Sequence, residues 1–341
     1  MRTLSAAEAV GPAWERTRQV LFEPFSVKRY LKLALVATLA GTASVSINWN
    51  NHMSRYNQHA PMANPFATKM MVVVMAMLMI IIPLILGIAA VLFYISCRMQ
   101  FVLFGIVATK TSEVAPFWRQ HGGHTWRWLF LRLVLGFALI AVLLSLVLPP
   151  VLAFLHHDSQ MGHRALFNLI FRSTAALLIV LAFSPLFWLM RDFMLPVIAL
   201  EDASIGSAFA RLAMLLQVEP GEFFLYLLLK FVLALAFTIA SFILMFLLML
   251  IAAIPIVIVC ALLFFASKIA AIVLGVLIFL VVYFCIIISI YGFSSTFFQA
   301  YALFFYGGRY PLLGNLLEPP AADPLHWGTA PQPLVPPPAP V

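Results

Sequence analysis

The sequence predicts an all-α integral membrane protein with six transmembrane helices. Three observations carry that prediction. Of 341 residues, 64% are hydrophobic and only 9% are Asp, Glu, Lys or Arg, whereas a soluble domain is about a quarter charged. The apolar residues gather into runs long enough to cross hydrocarbon. Lys and Arg divide unequally between the two sets of loops that those runs define. So few charges cannot cover a soluble protein of this size, which excludes a cytosolic enzyme, a secreted disulfide scaffold and a disordered chain.

The N-terminus opens with Ser5-Ala6-Ala7-Glu8, a capping-box pattern. Val10, Trp14 and Leu21 then share one helical face, with Glu15, Arg16 and Arg18 elsewhere around it. This is the make-up of an amphipathic helix lying in a membrane interface. A span needs roughly 20 mainly apolar residues to cross about 30 Å. The first such run, Tyr30–Asn48, is diluted by Thr38, Gly41, Thr42, Ser44 and Ser46. Its small residues pair as Ala37/Gly41 and Ala40/Ser44, the spacing that lets two helices approach closely, so it is read as a packed helix. Met70–Ser96, Trp128–Leu155 and Leu169–Met190 follow as plainer spans. The stretch from Phe223 to Tyr291 is read as two helices, Phe223–Ile254 and Ile269–Tyr291, joined by a kinked or partly interfacial Pro255–Lys268. A third crossing would need a turn near Ser241, where no polar side chain could satisfy the backbone in hydrocarbon. From Glu318 onward nine prolines stand in 24 residues, a composition read as an extended, disordered tail over 318–341. Residues 1–317 are read as one polytopic membrane domain.

An amphipathic element recurs. Arg98 precedes an apolar stretch, Thr111-Ser112 and Phe117-Trp118-Arg119; Arg191 precedes an apolar stretch, Ser204 and Phe209-Ala210-Arg211. Glu23-Pro24 stands six residues before Tyr30-Leu31, as Glu219-Pro220 does before Tyr226-Leu227. These spacings suggest three tandem units, 1–97, 98–190 and 191–308, each an interfacial helix followed by a two-span hairpin. The plainer reading is that any helix entering from the interface carries an aromatic residue and an Arg.

Orientation follows from the basic residues. Only Arg55, Lys69, Arg164, Arg172 and Lys268 of the 20 Lys and Arg fall on one side. The other side holds the rest and both termini, which the positive-inside rule makes cytoplasmic. Eleven of the twelve acids lie there too, Asp158 being the exception. The net charge of +8 is therefore a topology signal. No basic stripe with interleaved aromatics exists, so nucleic acid is not an expected partner. No cleavable signal is evident, because the first apolar run starts behind a long polar segment and further spans follow. Cys97, Cys260 and Cys285 lie in or beside apolar runs and imply no disulfide framework.

Catalytic patterns are missing: there is no P-loop, no dinucleotide-binding glycine signature and no nucleophile elbow. Glu201-Asp202, Glu219 and Glu222 share a loop with Arg211 and Lys230 and read as a solvated ion-pair face rather than acid–base machinery. Arg98, Arg132, Arg191-Asp192 and Lys230 lie near the cytoplasmic ends of spans, where long side chains snorkel. On the outer face, His156, His157 and His163 with Asp158 and Met161, and His52, His59, Met53 and Met62, offer soft-metal ligand types. No helical His pair with a nearby acid accompanies them, so no metal site and no cofactor is assigned, and His156, His157 and His163 stand only as the candidate ligands.

The segments Trp14…Leu21-Phe22-Glu23-Pro24-Phe25, Arg98-Met99-Gln100-Phe101-Val102 and Arg191-Asp192-Phe193…Pro196 resemble a group of uncharacterised bacterial six-span inner-membrane proteins over residues 5–312. That group is similar in turn to the membrane domain attached to some glycerophosphoryl diester phosphodiesterases. The resemblance implies a stand-alone membrane module; the phosphodiesterase barrel and its metal-binding acids are absent, so that activity is not implied. The expected function is a non-enzymatic accessory, scaffold or lipid-associated role in the cell envelope. Its expected partners are membrane lipids, and a second copy or another membrane protein. The rival expectation is a transporter or permease for a small or amphipathic molecule. Polar residues facing a shared cavity would favour it: Asn48, Ser96, Arg132, Asn168, Ser184, Lys230, Ser241 and Ser289.

Overall fold

In a computed structural model the chain is described over residues 2–42, 65–120, 122–156, 163–265 and 267–318. All regular structure there is helical: α1 (Val10–Phe22), α2 (Val27–Thr42), α3 (Pro65–Thr109), α4 (Ala115–Gln120), α5 (Gly122–His156), α6 (His163–Leu189), a π turn (Met190–Met194), α7 (Leu195–Glu201), α8 (Ile205–Val218), α9 (Pro220–Phe264), α10 (Lys268–Gly307) and α11 (Pro311–Leu317). Five helical segments are long and apolar enough to cross a membrane, lying within α3, α5, α6–α7, α9 and α10. The expected Tyr30–Asn48 crossing begins in α2, which spans 16 residues; its residues 43–48 lie outside the described residues, as does the tail beyond Glu318.

Burial divides the molecule along the helix axes. Exposed large apolar side chains run over Val73–Leu92, Trp126–Leu152, Phe167–Leu186, Phe224–Phe265 and Ile269–Phe284. The bands on α3 and α6 are roughly 20 residues, about 30 Å at 1.5 Å per residue, which matches a hydrocarbon core, while that on α9 runs about twice as long. Met79 is 80% exposed and Ile80 72%; in such a band lipid replaces the protein core as the apolar partner. Pro83, Pro185 and Pro255 sit inside helices, as spanning helices tolerate. Accordingly α9 continues past Pro255 to Phe264, and the α9–α10 connection shrinks from the expected Pro255–Lys268 to 265–267.

The packed core sits at the basic ends of the spans. It joins α1, α2, the last turns of α3, the π turn with α7, the end of α10 and α11. Phe193 meets Phe223 and Tyr306 edge-on at 5.2 Å, and Tyr226 stacks on Phe305 at 4.5 Å, geometries that aromatic quadrupoles favour. α2 packs on α10 through small residues: Ala34, Ala37 and Ala40 are fully buried, and a Cβ on Gly292 would stand 2.5 Å from Ala34 Cα. Tyr30 Oη and Thr38 Oγ1 donate to the Ser289 and Ile288 carbonyls at 3.0 and 3.2 Å, tying the same pair.

The α1 face differs from the sequence expectation. The Ser5–Glu8 capping box forms, with the Ser5 N–H donating to Glu8 and the Glu8 N–H to Ser5 Oγ. However, the buried residues of α1 are Ala13, Arg16, Thr17, Val20 and Leu21, while Trp14 is 53% exposed and meets Phe293 and Phe297 edge-on. The reason is Arg16. Its guanidinium donates to the carbonyls of Val107, Ala108 and Leu317 at 3.0–3.2 Å, satisfying the C-terminal carbonyls of α3 and α11 that those helices leave open. A helix lying free in the interface could not reach them. The expected unit edges at 97/98 and 190/191 fall inside α3 and inside the π turn.

Candidate functional site: an arginine-lined cleft between α5 and α6

On α5, Arg132, Gly136 and Ile140 recur every four residues; on α6, Val180, Ser184 and Trp188 do the same, and Arg191 follows one turn later in the π turn. Residues at this spacing share one helix face. The two helices run antiparallel, so Arg132 and Arg191 stand at the same end, and Ile140 and Val180 at the other. Between the faces lies a cleft of about 570 Å³, closed on one side by Phe93 of α3. That is the size of a small-molecule or acyl-chain site.

Its opening is set by what is small and what is exposed. A Cβ on Gly136 would meet nothing within 4 Å, so the missing side chain at this position is part of the cavity. Phe137, Ile140 and Val180 line the cleft and are also exposed; the cleft therefore opens sideways within the apolar band. Arg132 and Arg191 stand together at one end of the cleft. They are the charged residues of the lining, which contains no carboxylate. Arg132 lies 5.9 Å from the Phe93 ring centroid and beside the Cys97 thiol. Arg191 Nε is buried with no hydrogen-bond partner among the described residues.

The π turn decides where the neighbouring charge goes. A π turn holds one residue more than an α turn and is a recurrent device at functional sites. Here Arg191 lines the cleft, while the next residue, Asp192, pairs with Lys230 Nζ of α9 and accepts from Tyr226 Oη at 2.8 Å. Trp188 stands between the two sites: it lines the cleft, and the Lys230 ammonium lies 5.6 Å from its ring. The carboxylate nearest to Arg191 in the chain is thus engaged elsewhere.

Of the residues singled out from sequence, Arg132 and Ser184 meet in this cleft. Ser96 instead donates to the Leu39 carbonyl at 2.6 Å, and Ser289 to Cys285; Asn168 is exposed; Asn48 lies outside the described residues. Lys230 does not join the loop acids, because its partner is Asp192. Lys230 is buried against that partner. Of the loop acids, Glu201 accepts from Arg211 and Tyr310, Asp202 from Arg127, and Glu219 from Arg309, at 2.7–2.9 Å. The hydrogen bond to Glu201 holds the Arg211 guanidinium above its ordinary pKa. Sequence reading missed Gly136, Trp188 and Phe93; the signal available was Arg132–Gly136–Ile140 on one face, opposite an aromatic-rich α6.

His156 closes α5 and His163 opens α6. The placement of His157, and the side chains of all three histidines, lie outside the described residues. Among the described residues no three His, Cys, Asp or Glu side chains come together to hold a metal ion.

Comparison with known proteins gives one finding. The chain belongs to a family of unknown function, DUF7544, which matches residues 4–316. No curated protein and no solved structure matches it.

Proposed function

We propose that this member of a family of unknown function is a non-enzymatic, lipid-associated protein of the bacterial inner membrane. It spans the bilayer six times with both termini cytoplasmic, α2 and the residues after it forming the first crossing. The observation that carries the reading is the α5–α6 cleft: apolar and aromatic along most of its length, open within the band that lipid covers, and cationic at its inner end. A lipid has the same polarity in the same order. α8 adds support for a cytoplasmic-side interfacial helix, since Ala208 and Leu212 face the core while Phe209, Met214 and Val218 are exposed. The order of elements, a short helix before each of three helix pairs, is in keeping with three tandem units, and likeness to the phosphodiesterase membrane domain belongs to the same proposal.

A permease is the second reading, favoured by the meeting of Arg132 and Ser184 in one cleft. Retention is preferred over passage because the cleft stops at Ile140 and Val180, while α5 runs on to His156 and α6 begins at His163. The test is native mass spectrometry of protein extracted in mild detergent, with elemental analysis of the same sample. Retained phospholipid that is lost in Gly136→Phe, which fills the cleft, supports the reading. Protein that emerges bare, or stoichiometric copper or zinc in place of lipid, overturns it.

A further inference from the structure

We propose that the cleft selects phospholipids of net negative charge, the lipid phosphate lying against Arg132 and Arg191 and an acyl chain along Phe137, Ile140, Val180 and Phe183. This rests on the lipid-associated reading and adds the headgroup class to it.

The argument is one of charge and depth. Two guanidiniums and no carboxylate line the cleft itself. Asp192, next in the chain, attracts the Arg191 guanidinium at longer range but directs its contacts to Lys230 and Tyr226. Lys230 is buried by the same pairing, so the single carboxylate of Asp192 stands among three cations, Arg132, Arg191 and Lys230. The site therefore carries a net positive charge, at the edge of a low-dielectric band where excess charge is costly. An anion that enters restores the balance. Guanidinium suits phosphate in particular, because its planar fork can bind two oxygens at once, and Arg191 Nε is a buried donor without a hydrogen-bond partner among the described residues. A free phosphate would satisfy the arginines but leave the apolar length of the cleft unfilled. From Arg132 to Ile140 is eight residues along α5, about 12 Å of helix, enough for much of an acyl chain. A zwitterionic headgroup brings its own cation into a site that already holds two, so it is the disfavoured occupant.

The experiment reconstitutes the full chain in nanodiscs of equimolar phosphatidylethanolamine and phosphatidylglycerol, then releases it into the mass spectrometer and identifies the lipid retained. Retained lipid should be enriched in phosphatidylglycerol by about tenfold over the bulk, the equivalent of one charge-assisted contact. Arg132→Gln and Arg191→Gln should each reduce that enrichment. Arg172→Gln, on α6 but outside the cleft, should not. The decisive measurement is on the unaltered chain, so it survives if Arg191→Gln does not fold. Equal retention of both lipids overturns the selectivity and leaves lipid association standing; no retained lipid overturns both; retention of inorganic phosphate alone, added as a competitor, overturns the lipid as the source of the anion.

Discussion

Asp192 and Lys230 form an ion pair inside the helical core, with side chains 3% and 9% exposed. They come from separate elements, the π turn after α6 and the third turn of α9, and Tyr226 donates to the same carboxylate oxygen. The pair joins the α5–α6 hairpin to the α9–α10 hairpin at the depth of the cleft. Truncating one partner strands the other charge, which costs about 3–5 kcal/mol, whereas replacing both with apolar residues of similar volume is often neutral. Asp192→Ala and Lys230→Met should therefore each lower the melting temperature and the membrane abundance sharply. The double variant Asp192→Leu/Lys230→Met should regain most of both. Thermal unfolding followed by tryptophan fluorescence checks this, with Trp188 as a reporter close to Lys230. A double variant as unstable as the worse single one would show that the pair does more than neutralise itself.

Gly292 sets the distance between α2 and α10. A Cβ there would stand 2.5 Å from the Ala34 backbone, and backbone cannot move aside as a flexible side chain can. Gly292→Ala should thus destabilise by roughly 1–3 kcal/mol, and Gly292→Leu by more, read as loss of the folded monomer in size-exclusion chromatography. Gly136→Ala provides the contrast. Its new methyl meets nothing and the helix gains propensity, so its melting temperature should equal or exceed that of the unaltered chain.

Arg16 holds the N-terminal helix to the ends of α3 and α11. Arg16→Met keeps the aliphatic stem but leaves the Val107, Ala108 and Leu317 carbonyls short of donors, at about 1–3 kcal/mol for a buried group left unsatisfied. The expected result is a protein in which the region around α1 opens first. Hydrogen exchange resolved by peptide should show lost protection over 10–22 and 311–317 with the α5–α6 hairpin unchanged. Uniform loss of protection would contradict it.

Topology has a direct check. With Cys97, Cys260 and Cys285 replaced by alanine, Lys268→Cys at the α9–α10 connection should react with a membrane-impermeant thiol reagent in intact cells. Lys110→Cys, after α3, should react only once the membrane is opened. The reverse pattern would place the termini outside.

Sequence reading and structure part company at identifiable residues. Tyr30–Asn48 is read as a packed helix from the spacing of Ala37, Gly41 and Ala40, and α2 does bury Ala34, Ala37 and Ala40, because small-residue spacing is a local property with one physical meaning. The α1 face is misread because Arg16 looks like a solvated residue until the α3 and α11 carbonyls are placed against it. Lys230 is misassigned to the loop acids for the same reason: its partner lies 38 positions earlier in the chain, beyond any helical periodicity.

Composition, run length and the division of basic residues are sums over the chain, and they suffice for an all-helical protein with five helices long and apolar enough to cross a membrane, and for an expected direction across the bilayer. Which face of each helix is buried is another matter. Arg191 turning into the cleft while Asp192 turns to Lys230, the space left by Gly136, and Arg16 satisfying three distant carbonyls all depend on which helix stands opposite, and a helix's own sequence does not contain its neighbour.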